Sequence, residues 1–183
     1  EGGMVTTDDS SLADRMRLLR NHGSQRTDRR TLEFVKFGFN YRLSEIPAAL
    51  GLAQMRRIDQ ILLDRRTTAG RYDKALACLE GVMVPRVPSD TTWSYQSYVV
   101  VLDSGINRDE VIAGMADDGI ETTIGAYACH RHPAFSEWGL HLGDLPNSSR
   151  FADSALTLPL IPCMAQTQVD RVVEALDSTL RVL

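Results

Sequence analysis

Phe37-Gly38-Phe39-Asn40-Tyr41-Arg42-Leu43-Ser44-Glu45-Ile46 is the densest stretch of this 183-residue sequence, and Pro47-Ala48-Ala49-Leu50-Gly51-Leu52-Ala53-Gln54 continues it. An amide, a phenol and a guanidinium stand in a row before an apolar run. An amide can donate to a phosphate, and a guanidinium can clamp one through two parallel hydrogen bonds. The plainer reading is that Asn40 ends a turn and Arg42 pairs with Glu45. Ser44 is placed to cap a helix whose first turn tolerates Pro47. From Ile46 to Ala53 nearly every residue is apolar or small, so this stretch is expected to be covered on several sides in a larger assembly, and in this chain by itself to form an exposed apolar patch that favours self-association or instability. From Met55 the pattern becomes one-sided (Met55, Ile58, Leu62). It predicts a long bridging helix through Tyr72 to Leu79, with a break near Gly70.

Upstream, Asp9 or Ser10 can cap a helix carrying Leu12, Met16 and Leu19 on one stripe, closed by Asn21-His22-Gly23. Met4–Thr7 reads as a strand. Between Arg15 and Lys36 seven basic residues face two acids, a local excess of +5 in a chain whose formal charge is −4. Such a segment attracts phosphate or pyrophosphate, or simply solvates a loop.

Downstream, residues 81–92 contain Pro85 and Pro88 and read as a linker. A compact α/β series follows: a strand over 95–102, a helix opened by Asn107 with Glu110 and closed by Gly119, a strand over 120–124, and a loop over 125–145 rich in His and aromatic residues. Then come a helix near 147–155, an apolar piece at 156–161, and a last helix capped by Thr167 with Asp170 and striped by Val169, Val172, Val173, Leu176 and Leu180. The order predicts a small sheet with helices on one face.

Composition narrows the function. An apolar fraction of 43% excludes a disordered chain. No apolar run is long enough to span a membrane. The mild acidity argues against nucleic acid as the main partner. Cys78, Cys129 and Cys163 are odd in number and widely spaced, which suits a reducing cytoplasm better than a disulfide framework. The cluster Cys129-His130-Arg131-His132, with His141 and Cys163, has zinc-type ligands but no paired spacing, so no metal is assigned; a pocket-lining loop is preferred. Nucleotide fingerprints of the G-x-G-x-x-G and G-x-x-x-x-G-K kinds are absent, as is a G-x-S-x-G elbow.

Phe39–Ile46 with Ala48–Gln54 closely resembles the DegT/DnrJ/EryC1/StrS aminotransferases, pyridoxal-phosphate enzymes that aminate nucleotide-linked keto sugars. Glu1–Asp8 resembles that family's G-E-G-G strand, Leu18–Gly23 its next helix end, Tyr127, His130 and Pro133 its Y-x-x-H-x-x-P loop, and Leu158-Pro159-Leu160 its S-L-P-L turn. The resemblance implies the C-terminal portion of a fold-type I enzyme: residues 1–80 as the end of the large cofactor domain plus the bridging helix, and 93–183 as a small α/β domain. It implies a cytoplasmic homodimer with shared active sites, in which Asn40 reaches the phosphate of the partner subunit's pyridoxal 5′-phosphate. Arg42, near the same site, and Tyr41 are expected to bind substrate, Arg42 at the nucleotide's phosphates, with Tyr127 and His130 on the sugar side, and the amino donor is expected to be glutamate. It places the Schiff-base lysine upstream of Glu1. Lys36 and Lys74, the two lysines here, lie in other contexts, so no catalytic residue is assigned and the chain alone is expected to be inactive. The alternatives are a non-catalytic binding module derived from this family, or a same-fold cofactor-dependent sugar dehydratase.

Overall fold

The Asp9 side chain accepts the amide of Leu12 at 3.0 Å and opens helix α1, Ser10–Arg20. This computed structural model describes residues 2–28, 31–138 and 145–183. They fall into two compact units, Glu1–Ile58 and Asp59–Leu183.

In the first unit α1 ends where the sequence places its stop. The amide of Gly23, at φ 67, donates to Leu18 O at 2.9 Å. A hairpin that the charge-rich sequence does not announce follows: β1, Ser24–Arg26, pairs antiparallel with β2, Leu32–Phe34. Across its turn Asp28 accepts both the amide and the hydroxyl of Thr31, at 2.6 and 3.0 Å. Met4–Thr7, read as a strand, is not one. No strand among the described residues lies alongside to take its backbone hydrogen bonds, and Met4 and Val5 are exposed.

The long helix expected from residue 44 onward is two helices, α2 (Glu45–Met55) and α3 (Ile58–Leu76), separated at Arg56-Arg57. Gly70 lies inside an unbroken α3, because a lone glycine lowers helix stability without removing a backbone donor. Ser44 stands at the N-cap of α2, but its side chain makes no capping bond. The covering of Ile46–Ala53 is not found among the described residues, and the stretch is instead the exposed apolar surface expected of this chain by itself. Ile46 is 85% exposed, and Leu50, Leu52 and Met55 are also exposed, since nothing described packs on that face.

The second unit is built on a four-stranded antiparallel sheet in the order β3-β4-β6-β5: β3 Val82–Met83, β4 Tyr98–Leu102, β5 Thr123–Ile124, β6 Ala155–Leu158. The 81–92 segment, read as a linker, lies within this unit and contributes the edge strand β3. Alternate residues Tyr98, Val100 and Leu102 face a core that they share with Leu156 and Leu158. Ala69, Tyr72 and Leu76 enter it from α3, Val111 and Met115 from α4 (Arg108–Asp117), and Val169, Val172 and Leu176 from α6 (Gln166–Val182).

Asn107 caps α4 by accepting from Asp109 N at 3.0 Å, and Glu110 takes the Asn107 amide instead of its backbone N–H. Gly119, at φ 71, closes the helix with paired bonds from Gly119 N to Ala116 O and from Ile120 N to Met115 O, both 2.9 Å. The cap of α6 is Ala165, not Thr167. Gln168 reaches back to accept the Ala165 backbone N–H at 2.8 Å, the one half of a capping box that an alanine cap allows. Helix α5, Pro146–Ser154, precedes β6.

Candidate functional site

Two segments of the first unit are locked together by backbone alone. His22 N donates to Phe39 O, Phe39 N to Leu19 O, and Tyr41 N to Arg20 O, each at 2.9 Å. Asn21 and Asn40 face each other in an antiparallel bridge. The approach requires glycine on both sides. A Cβ on Gly23 would lie 1.9 Å from Lys36 O, and one on Gly38 would lie 2.3 Å from Gly23 N. The helix end and the Phe39–Arg42 run, which the sequence presents as separate features, therefore form one structure.

On this frame Arg42 Nε donates to Asn40 Oδ1 at 3.0 Å, and Arg42 Nη1 donates to Asn21 Oδ1 at 3.3 Å. Asn21 Nδ2 in turn donates to Ser24 Oγ at 3.0 Å, and the Ser24 hydroxyl donates to Asn21 O at 2.7 Å. Arg42 does not pair with Glu45, the plainer reading of its sequence context. Glu45 sits at the start of α2, whereas the bridge turns Arg42 toward the two asparagines. A guanidinium has donors only, so each amide it meets presents oxygen to it. With its oxygen accepting from Arg42, Asn40 keeps its NH2 group as a donor, on an exposed residue. Tyr41 is 70% exposed, and its ring stacks on Phe39 with centroids 5.2 Å apart.

Tyr127 and His130 belong to the second unit. His130 lies in a short 3-10 turn, Cys129–Arg131, and is 8% exposed. Its Nε2 is 3.0 Å from Ser149 Oγ on α5, while Nδ1 is buried and has no hydrogen-bond partner among the described residues. Arg131 closes the same turn onto α5 through both carboxylate oxygens of Asp153, the second at 2.8 Å. That pairing gives Arg131 a structural task where the sequence suggests none, and it holds the Asp153 carboxyl below its ordinary value. Tyr127 is exposed, with its ring edge-on to His132. A recess of about 480 Å³ in the second unit, beside Thr122, Met164 and Arg171, contains none of the predicted site residues.

Among the described residues no group of three His, Cys, Asp or Glu side chains is disposed to hold a metal ion. His141, a member of the zinc-type cluster, lies outside the described residues. No helix among the described residues is long and apolar enough to cross a membrane.

The sequence matches the DegT/DnrJ/EryC1/StrS aminotransferase family over residues 1–177. The chain belongs to that family. Aminotransferases of this family depend on pyridoxal phosphate. The chain is 34% identical to the spore coat polysaccharide biosynthesis protein SpsC of Bacillus subtilis, over 96% of its own length and 48% of that protein. It is 37% identical to the GDP-perosamine synthase of Caulobacter vibrioides, over 98% and 48% respectively. Its fold matches the crystal structure of the aminotransferase TlmJ from Streptoalloteichus hindustanus with a TM-score of 0.83 at 30% identity, over 96% of this chain and 46% of that one. The chain thus spans about half the length of the curated relatives it matches. The mixed α/β architecture, with short sheets and six α-helices among the described residues, is that of these aminotransferases.

The sequence gives no separate signal for Asn21 as a partner of Arg42, because the contact spans 21 residues. The clue is the Asn-His-Gly helix end, whose glycine permits the close approach.

Proposed function

We propose that this chain forms the C-terminal half of a pyridoxal-phosphate-dependent sugar aminotransferase. The whole enzyme would act in the cytoplasm as a homodimer with shared active sites. In this reading residues 1–58 complete the cofactor domain and residues 59–183, with α3 in the core and β3 in the sheet, form the smaller domain. The transfer runs from glutamate to a keto sugar carried on a nucleotide, a substrate class suggested by the name of the GDP-perosamine synthase relative.

The observation that carries the reading is the Asn21–Arg42–Asn40 constellation. Its chemistry fits a cofactor phosphate. The amide of Asn40 keeps its NH2 as a donor, a guanidinium stands directly behind it, and the surrounding segment is basic. Asn40 would donate to the phosphate of the partner protomer's cofactor, and Arg42 would hold the amide and add positive charge. Tyr41 would flank this grip. In the second unit Tyr127 would offer its phenol to sugar hydroxyls. His130, held by Ser149 through Nε2, would support the sugar side from beneath the 129–131 turn. Pyridoxal phosphate, when bound, supplies the aldehyde and electron sink through which nitrogen passes from donor to acceptor. The amine that anchors the cofactor is assigned to neither Lys36 nor Lys74, so it comes from the other half of the enzyme.

A complementation experiment tests this. Full-length Asn40→Ala protein is mixed with full-length protein lacking the anchoring lysine, and transfer of labelled nitrogen from glutamate to nucleotide-linked keto sugars is followed. Each variant alone should be nearly inactive. The mixture should recover activity, because one site of each mixed dimer combines an intact lysine with an intact Asn40 from the other protomer. Failure of the mixture to exceed the two variants would refute a grip across the dimer, and loss of water from the sugar without nitrogen transfer would refute the aminotransferase reading.

A further inference from the structure

We infer that Asn21 is a positioning residue that holds the Arg42 guanidinium against Asn40 and so keeps the Asn40 NH2 available to the cofactor phosphate; this rests on the phosphate-grip reading of Asn40 given above. The argument is one of hydrogen-bond polarity running in a single direction. Ser24 is 9% exposed. Its hydroxyl proton is committed to Asn21 O at 2.7 Å, so its oxygen is free to accept, and it accepts from Asn21 Nδ2 at 3.0 Å. With its NH2 held there, Asn21 turns Oδ1 toward Arg42 and accepts from Nη1 at 3.3 Å. Arg42 has no acceptor to offer, so its Nε can be satisfied at Asn40 only by Oδ1, at 3.0 Å.

The oxygen of Asn40 is thereby occupied, and its NH2 is the group left to meet a ligand. Reversing the amide would set NH2 against the guanidinium and turn oxygen toward a phosphate, which is unfavourable at both ends. The polarity at Asn40 is thus set by Arg42, and Ser24 orients Asn21 so that its oxygen holds that guanidinium in place. The backbone bridge between Asn21 and Asn40 keeps the two asparagines in register while Arg42 spans them. Asn21 touches no ligand in this scheme and acts through Arg42.

The test compares pyridoxal phosphate with pyridoxal, which lacks the phosphate, as probes of the full-length apoenzyme by absorbance titration. Asn21→Ala is expected to weaken pyridoxal phosphate about tenfold, the equivalent of one charge-assisted hydrogen bond, while pyridoxal binding stays within about twofold of wild type. In an Asn40→Ala background the same substitution is expected to change neither affinity further, because no amide remains to orient. Asn21→Asp retains an acceptor for Arg42 but loses the donor to Ser24 and adds a negative charge, so it is expected to weaken pyridoxal phosphate more than Asn21→Ala does. A merely structural role would weaken both probes together, and that result overturns the inference. Equal losses in the wild-type and Asn40→Ala backgrounds also overturn it. If Asn40→Ala leaves the preference for the phosphorylated probe unchanged, the phosphate-grip reading itself fails and the inference falls with it. If Asn40→Ala abolishes that preference and Asn21→Ala does not reduce it, only the positioning role fails.

Discussion

Gly23→Ala should unfold the first unit locally and release Asn40. The added methyl carbon would lie 1.9 Å from the Lys36 carbonyl oxygen, a backbone atom that no rotamer change can move aside. To reach tolerable contact the two strands of chain must part by more than ~1 Å. Gly23 O accepts from both Val35 N at 2.9 Å and Lys36 N at 3.3 Å, so parting them loses both bonds. The left-handed backbone at φ 67 adds its own cost for any residue with a Cβ. Strain of about 1–2 kcal/mol and two backbone hydrogen bonds at about 1 kcal/mol each give a loss of roughly 3–4 kcal/mol. Hydrogen exchange read by mass spectrometry should show protection falling over residues 18–42 and holding at the core strands of the second unit. Gly70→Ala is the control. It lies inside α3 with nothing within 4 Å of the new methyl, so it should stabilise by about 0.5–1 kcal/mol. If Gly23→Ala keeps wild-type protection over residues 18–42, or if the two alanines behave alike, the close-approach argument is wrong.

The tyrosine cluster supplies an alkaline prediction. Burial pushes the phenols of Tyr72 and Tyr98 far above the ordinary value of 10.0, and the 2.6 Å hydrogen bond from Tyr98 to Asp73 adds to the shift of Tyr98. The folded state favours the neutral phenols, so the stability they contribute is complete below pH 10 and is lost as pH rises beyond it. Ultraviolet titration should therefore show Tyr72 and Tyr98 ionising only as the second unit unfolds, and Tyr98→Phe should cost about 1–2 kcal/mol through the unpaired Asp73 carboxylate. The opposite sign holds for Asp153. Its hydrogen bonds from Arg131 lower its pKa below 3.8, so the tie between the 129–131 turn and α5 persists above that value and loosens only as pH falls below it. A carboxyl titration by NMR should place Asp153 below the ordinary aspartate value of 3.8, and Arg131→Ala should return it toward that value.

Much of the second unit was legible in the chain because its signals are local. Gly119 closes α4 where a residue with positive φ is needed, and the stripe Val169, Val172, Leu176 is buried as its spacing requires. Element ends were less legible. The strand expected from Tyr95 begins at Tyr98, because Tyr95 takes positive φ and stacks its ring between Trp93 and Tyr98. The β1–β2 hairpin escaped notice because its strands carry no alternation of buried residues; Leu32, Glu33 and Phe34 are all exposed. The Arg56-Arg57 break is equally silent in a segment of good helix formers.

The candidate site divides along the same line. Residue types alone placed an amide and a guanidinium side by side at Asn40 and Arg42, and marked Gly23 as a helix stop, because those properties reside in single residues and their immediate neighbours. That Arg42 takes the oxygen of Asn40, and that Asn21 and Ser24 stand behind Arg42, required the fold. Donor and acceptor polarity is settled only when chain segments some twenty residues apart are brought into hydrogen-bond contact, and here two glycines without side chains let the backbones come close enough for that to happen.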